Sequence, residues 1–132
     1  MHYVIDTHAL IWFLEGNSRL GNQATTILCN PASILILPAI ALAEALWIVE
    51  RGKTSIPSSK SLLDIVTADP RIIIYPLDTD VVTQTLILSS INEMHDRQIV
   101  ATAIVLQNKG NPVSLLTCDQ NITVSDVITI VW

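Results

Sequence analysis

The chain has 132 residues, half of them hydrophobic and only 14% charged, which gives one domain of ordinary size with a single core and excludes a disordered chain. The net charge of −5 argues against a dedicated nucleic-acid binder with a basic surface, yet it suits an enzyme that gathers carboxylates around cations. A mean hydropathy of +0.50 is high for a soluble monomer and points to apolar surface covered by a partner or a second copy.

In chain order, YVI (3–5) reads as a strand and HALIWFLE (8–15) as a helix closed by Gly16. Residues 20–29 are predicted helical, and ILIL (34–37) is a fully apolar strand. Pro38 stands near the first turn of a helix running through Arg51, with Gly52 past its end, as the preference for proline at helix starts and glycine beyond helix ends predicts. The apolar run 34–49 is no membrane span. Pro38 and Glu44 interrupt it, and about 20 mostly apolar residues are needed to cross a bilayer. A helix over 58–68 starts from Pro57-Ser58, and RIIIY (71–75) is a strand ended by Pro76. Helices over 79–91 and 96–108 follow, the second with Gly110 after it, then strands SLLT (114–117) and VITIV (127–131). Short strands apolar on both faces, alternating with helices, predict a three-layer α/β/α fold with a central parallel five-stranded sheet. No repeat or linker divides it, so 1–132 is read as a single domain. The first residues lack a basic stretch and a small-residue cleavage site, so no signal peptide is expected. Cys29 and Cys118, without CxxC spacing, read as reduced structural thiols of a cytoplasmic protein.

In parallel sheets, sites form beyond the carboxyl ends of the strands, near the switch in strand order. Four carboxylates bear on that region. Asp6 follows the first strand and Asp119 follows SLLTC; the first suits a helix N-cap and the second a turn. Asp96 opens DRQIVATAIVLQ, where an acid favours the helix dipole. Glu44 is harder to explain as structure. It lies between Ile40 and Ile48 at i±4 spacing, on or beside an apolar stripe that includes Trp47, and a buried carboxylate needs a cation, donors or a metal. If the four meet, repulsion leaves one or more protonated unless cations fill the site. An all-oxygen set selects Mg²⁺ or Mn²⁺ over zinc.

The ordered set DTHALIWFLEG (6–16), LPAIALAEALWIVERGK (37–53), HDRQIVATA (95–103) and LLTCDQNI (115–122) resembles the PIN domain, and within it the VapC-like toxins of toxin–antitoxin pairs. The resemblance covers essentially the whole chain. It implies a PIN-like parallel sheet, usually a homodimer, and a ribonuclease whose Asp6, Glu44, Asp96 and Asp119 are catalytic and hold one or two Mg²⁺ or Mn²⁺ ions. It further implies that Thr117 supplies a supporting hydroxyl, that hydrolysis of RNA leaves a 3′-hydroxyl and a 5′-phosphate, and that a small cognate antitoxin covers the groove. Other members often carry Ser or Thr three or six residues before the helix glutamate; here those positions are Ala41 and Pro38. Two other readings stand beside it: a PIN scaffold that binds RNA or a protein without cutting, and a PIN nuclease of RNA processing.

Arg97 is the candidate phosphate contact to RNA, or else a surface partner of Glu93 at i−4. His8 and His95 neighbour site carboxylates, with His8 expected to cover the first helix and His95 to be exposed. No GxSxG elbow accompanies a Ser-His-Asp set. The four glycines form neither GxGxxG nor GxxxxGK[ST]. Aspartyl-phosphate chemistry of the DxD kind would need an acid where His8 stands.

Overall fold

A computed structural model describes residues 1–132. Five strands, β1 (His2–Ile5), β2 (Ile34–Pro38), β3 (Ile72–Tyr75), β4 (Val113–Leu116) and β5 (Ile130–Val131), form one all-parallel sheet in the order β3-β2-β1-β4-β5. The chain therefore builds outward from β1 to β3, then crosses back to lay β4 on the other side of β1. That reversal is the topological switch, and its crevice opens at the carboxyl ends of β1 and β4. Because parallel crossovers are right-handed as a rule, connections running in opposite directions across the sheet place helices on both of its faces, giving the three layers.

The central strands β1, β2 and β4 carry the most buried residues, among them Val4, Ile5, Leu35, Leu37, Leu115 and Leu116, so these strands read as continuous apolar runs. The edge strand β3 departs from the expectation of two covered faces: Ile73 and Ile74 are exposed.

The helices are α1 (Thr7–Glu15), α2 (Asn22–Cys29), α3 (Ala39–Glu50), α4 (Ser59–Ala68), α5 (Thr79–Gln84), α6 (Met94–Asn108) and α7 (Gln120–Ser125). None is long and apolar enough to cross a membrane. Asp6, Ser58, Asp78, Glu93 and Asp119 cap α1, α4, α5, α6 and α7 with side-chain oxygens. Pro38 ends β2 and occupies the cap position before α3, outside its first turn.

Four expectations are corrected. The strand expected over 127–131 is confined to Ile130–Val131. The helix expected over 79–91 stops at Gln84 and tightens into a 3₁₀ turn at Thr85–Ile87. Arg97 then donates to the carbonyls of Ile91 and, at 3.2 Å, Ser89, which no helix satisfies. The last long helix begins at Met94, two residues before Asp96, because Glu93 accepts from the Asp96 amide at 2.9 Å. The turn expected at CDQN caps a short helix, α7, since Asp119 accepts from the Ile122 amide at 3.0 Å.

Candidate functional site

The register of the two central strands builds the first half of the site. Ile5 of β1 lies opposite Leu116 of β4, so the next residues along, Asp6 and Thr117, come side by side beyond the sheet edge. Thr117 Oγ1 donates to Asp6 Oδ2 at 2.6 Å, and the Thr7 amide donates to Asp6 Oδ1 at 2.6 Å. Thr117 Oγ1 in turn accepts from the Asp119 amide at 3.1 Å, which fixes the chain where α7 begins. Asp6 is only 8% exposed. Burial raises its pKa above the ordinary range, while the two donors and His8 pull it down and Glu44 pushes it further up.

The second half comes from two helices. Helix α3 buries Ala41, Leu42, Ala45 and Val49 and leaves Trp47 56% exposed, so the core stripe lies one step round from the stripe read in the sequence. Because α3 is apolar nearly all round, spacing alone does not choose the buried face. Glu44 falls at the margin of that stripe, its side chain 27% exposed. Its Oε1 accepts from Thr7 Oγ1 at 2.5 Å. The hydroxyl missing at Pro38 and Ala41 is thus supplied by the residue that follows Asp6. His95 Nδ1 lies 3.4 Å from Glu44 Oε2 and 3.1 Å from Glu93 Oε1. His95 is therefore half-buried within the first turn of α6 and bridges two carboxylates, where exposure ahead of the helix had been expected.

Asp6, Glu44, Asp96 and Asp119 all line one cleft of about 440 Å³, completed by Glu93, His8, Trp12 and Cys118. The Asp96 carboxyl is pushed up to about 7, first by burial and then by Asp119, Asp6, Glu93 and Glu44. The Cys118 thiol is pushed up by burial and by Asp6 and Asp119. Glu93 is the acid that sequence reasoning passes over: glutamate is not among the preferred N-caps, and the helix expected over 96–108 starts two residues late, which hides the cap. Arg97 does not line the cleft. It borders a separate pocket with Thr85, Asn92, Met94 and Gln98, and it makes no salt bridge to Glu93, whose carboxylate instead caps α6 and faces His95.

The donor set fits a hard divalent cation in its chemistry. It is oxygen-rich and negative, and it holds a carboxyl that burial and, after it, like charges drive toward protonation, which a cation would relieve. As the side chains stand, Asp6 and Glu44 each give an oxygen to a threonine, and no three His, Cys, Asp or Glu donors close on one point.

Several solved structures share the fold at low identity. VapBC2 from Rickettsia felis bound to a DNA fragment from its promoter aligns over 99% of this chain and 98% of that one, with TM-score 0.72 and 18% identity. VapC20 of Mycobacterium tuberculosis, described as a sarcin-ricin loop cleaving toxin, aligns over 94% and 95%, with TM-score 0.68 and 13% identity. FitAcB from Neisseria gonorrhoeae aligns over 97% and 95%, with TM-score 0.61 and 18% identity. No curated protein matches the chain. The PIN domain model matches residues 3–126, a span that takes in β2, β3, β4 and nearly all of β1, the switch and all four carboxylates but stops short of β5, and the chain belongs to the PIN domain family.

Proposed function

We propose that this PIN domain, taken as the single domain of the chain, is a divalent-metal-dependent endoribonuclease and the toxin of a toxin–antitoxin pair. The observation that carries the reading is the convergence of Asp6, Glu44, Asp96 and Asp119 on one cleft at the switch point of the sheet. Those four would hold one or two Mg²⁺ or Mn²⁺ ions, which when bound supply the charge to acidify a water and brace the leaving oxygen of a phosphodiester. The chain's own groups set up that site. Thr117 and the Thr7 amide hold the Asp6 carboxylate rigid, Thr7 Oγ1 aims Glu44, and Glu93 with His95 fixes the first turn of α6 that presents Asp96. Products with a 3′-hydroxyl and a 5′-phosphate are expected.

Similarity in fold to VapBC complexes supports a small antitoxin as partner, and exposed Ile73, Ile74, Leu86 and Ile87 offer apolar surface for it or for a second copy in a homodimer. Free Cys29 and Cys118 suit the reducing cytoplasm.

The spread of the donors favours testing a second reading, a scaffold that binds RNA or protein without metal. Titration calorimetry with Mn²⁺ separates the two. The nuclease reading expects binding at pH 7.5 that Asp96→Asn weakens at least tenfold, about 1.4 kcal/mol or more. A scaffold gives the same weak heat in both proteins.

A further inference from the structure

An acidic cleft repels the polyanion it is proposed to cut. The chain as a whole is also negative, with seven Lys and Arg against twelve Asp and Glu. Five of the seven cations are engaged elsewhere. Lys60 pairs with Asp64, Arg71 with Asp69, Arg97 donates to loop carbonyls, Lys109 donates to the Tyr75 hydroxyl, and Arg51 lies over the Trp47 ring. The remaining two, Arg19 and Lys53, are exposed and have no carboxylate partner within salt-bridge distance. Arg19 comes from the loop between α1 and α2 and Lys53 from the loop between α3 and α4, yet both line a single groove of about 480 Å³.

That groove adjoins the acidic cleft, for His8 and Trp12 line both. Trp12 is held as a wall between them. Its ring meets Trp132 edge-on at 5.9 Å, and Trp132 packs over Gly21, where a Cβ would come within 2.4 Å of the Trp132 carbonyl carbon. The Arg19 guanidinium lies 5.7 Å from the Trp12 ring centre, and the His8 ring is tilted against the same tryptophan at 5.6 Å. The one acid in the groove, Glu15, is turned onto the chain itself. It accepts from the Ser55 amide at 2.8 Å, the Ser55 hydroxyl at 3.2 Å and the Asn17 side-chain amide at 3.2 Å. Those bonds hold the loop carrying Lys53 against α1 and lower the Glu15 pKa, with the nearby charge of Arg19 adding the smallest pull in the same direction.

Cations without a salt-bridge partner beside an aromatic wall are the means by which proteins track a single strand without reading its sequence: charges meet phosphates and rings meet bases. We infer that this groove carries the single-stranded RNA leading into the acidic cleft, with Arg19 and Lys53 contacting backbone phosphates and Trp12 meeting a base at the junction. The inference rests on reading the cleft as a nuclease site, and it adds the path by which substrate reaches it.

The test is fluorescence anisotropy of a labelled ten-nucleotide oligouridine titrated with the full chain in EDTA at 50 mM salt, where no cutting intrudes. Arg19→Ala with Lys53→Ala should weaken binding about tenfold and reduce the slope of log K against log salt by about 1.4, one strand phosphate for each cation. Lys60→Ala, outside the groove, should change neither. Trp12→Phe keeps a ring in place and should retain most of the affinity, while its thermal midpoint shows whether the fold has held. Equal affinity of the double variant and the parent overturns the inference, as does no binding by the parent. Displacement of the RNA by an oligoglutamate of equal length also overturns it, in favour of an acidic protein partner. If the oligomer binds through Arg19 and Lys53 but RNA stays intact under every metal, the nuclease reading falls and the groove stands.

Discussion

Asp6 shows how one residue serves both the fold and the site. Its two oxygens are engaged by donors from different elements, the Thr7 amide on Oδ1 and Thr117 Oγ1 on Oδ2, in a position only 8% exposed. Thr117→Val keeps the shape and removes one donor, leaving a buried carboxylate oxygen unpaired at a cost of about 1–3 kcal/mol. Urea unfolding should show that loss, and a parent-like midpoint would mean that water replaces the hydroxyl without cost. A structural acid far from the cleft gives the pH dependence. Arg71 faces Asp69 with two nitrogens, Nη2 at 2.8 Å and Nε at 3.1 Å, and its Nη1 bonds to the Leu28 and Asn30 carbonyls. Arg71 holds the Asp69 carboxyl below its ordinary value of 3.8. A folded-state pKa below the unfolded one means that the contribution is complete above about pH 4 and is lost as pH falls through the lowered value. Asp69→Asn should therefore lower stability at pH 7 by roughly 0.2–1 kcal/mol and flatten the decline below pH 4, as read by thermal unfolding across that range. An equally steep decline would show that the pair contributes nothing. The four acids were legible in the sequence because each interrupts an apolar frame. Thr7 and Glu93 were not, since their roles depend on partners 37 and 3 residues away through contacts that only the folded chain makes.

Among the elements, the segment after β3 departs furthest from its sequence pattern. Residues 79–91 keep enough helical spacing to suggest one helix, but the chain turns into a 3₁₀ segment after Gln84 and leaves Leu86 and Ile87 exposed. Val81, Val82, Thr83 and Thr85 are β-branched and weaken the helix. What stabilises the alternative lies outside the segment: the Arg97 guanidinium bonds the Ser89 and Ile91 carbonyls. Arg97→Ala should cost about 1–3 kcal/mol by leaving those acceptors unpaired, and should leave oligouridine affinity within twofold of the parent, because Arg97 stands outside both the cleft and the groove. Unfolding and anisotropy on one preparation check both halves. Weakened RNA binding without lost stability would return Arg97 to the phosphate contact that its place beside Asp96 suggests. Helix α7 escaped sequence reading for a related reason. Six residues are too few to show a helical period, and an N-cap aspartate looks like a turn aspartate.

On the scale of the whole molecule, the parallel three-layer sheet was legible because short apolar strands alternate with helical patterns along the entire chain. Strand order was not, because no local pattern says on which side of β1 the strand β4 will pair. That order decides the site. Placing β4 beside β1 puts Thr117 against Asp6 and brings Asp119 to the crevice, while α3 and α6 deliver Glu44 and Asp96 to the same cleft. Under the proposed function these four carboxylates form a metal-dependent centre that cuts RNA. The most direct measurement incubates the purified chain, freed of any co-purifying partner, with a mixed transfer and ribosomal RNA pool in Mn²⁺, in Mg²⁺ and in chelator, beside Asp6→Asn. A metal-dependent centre gives discrete cleavage with metal, none with chelator, and a loss of at least a hundredfold in the variant, about 2.7 kcal/mol of transition-state stabilisation. Cleavage that persists in chelator or in Asp6→Asn would contradict it, and so would intact RNA in both metals from a folded protein.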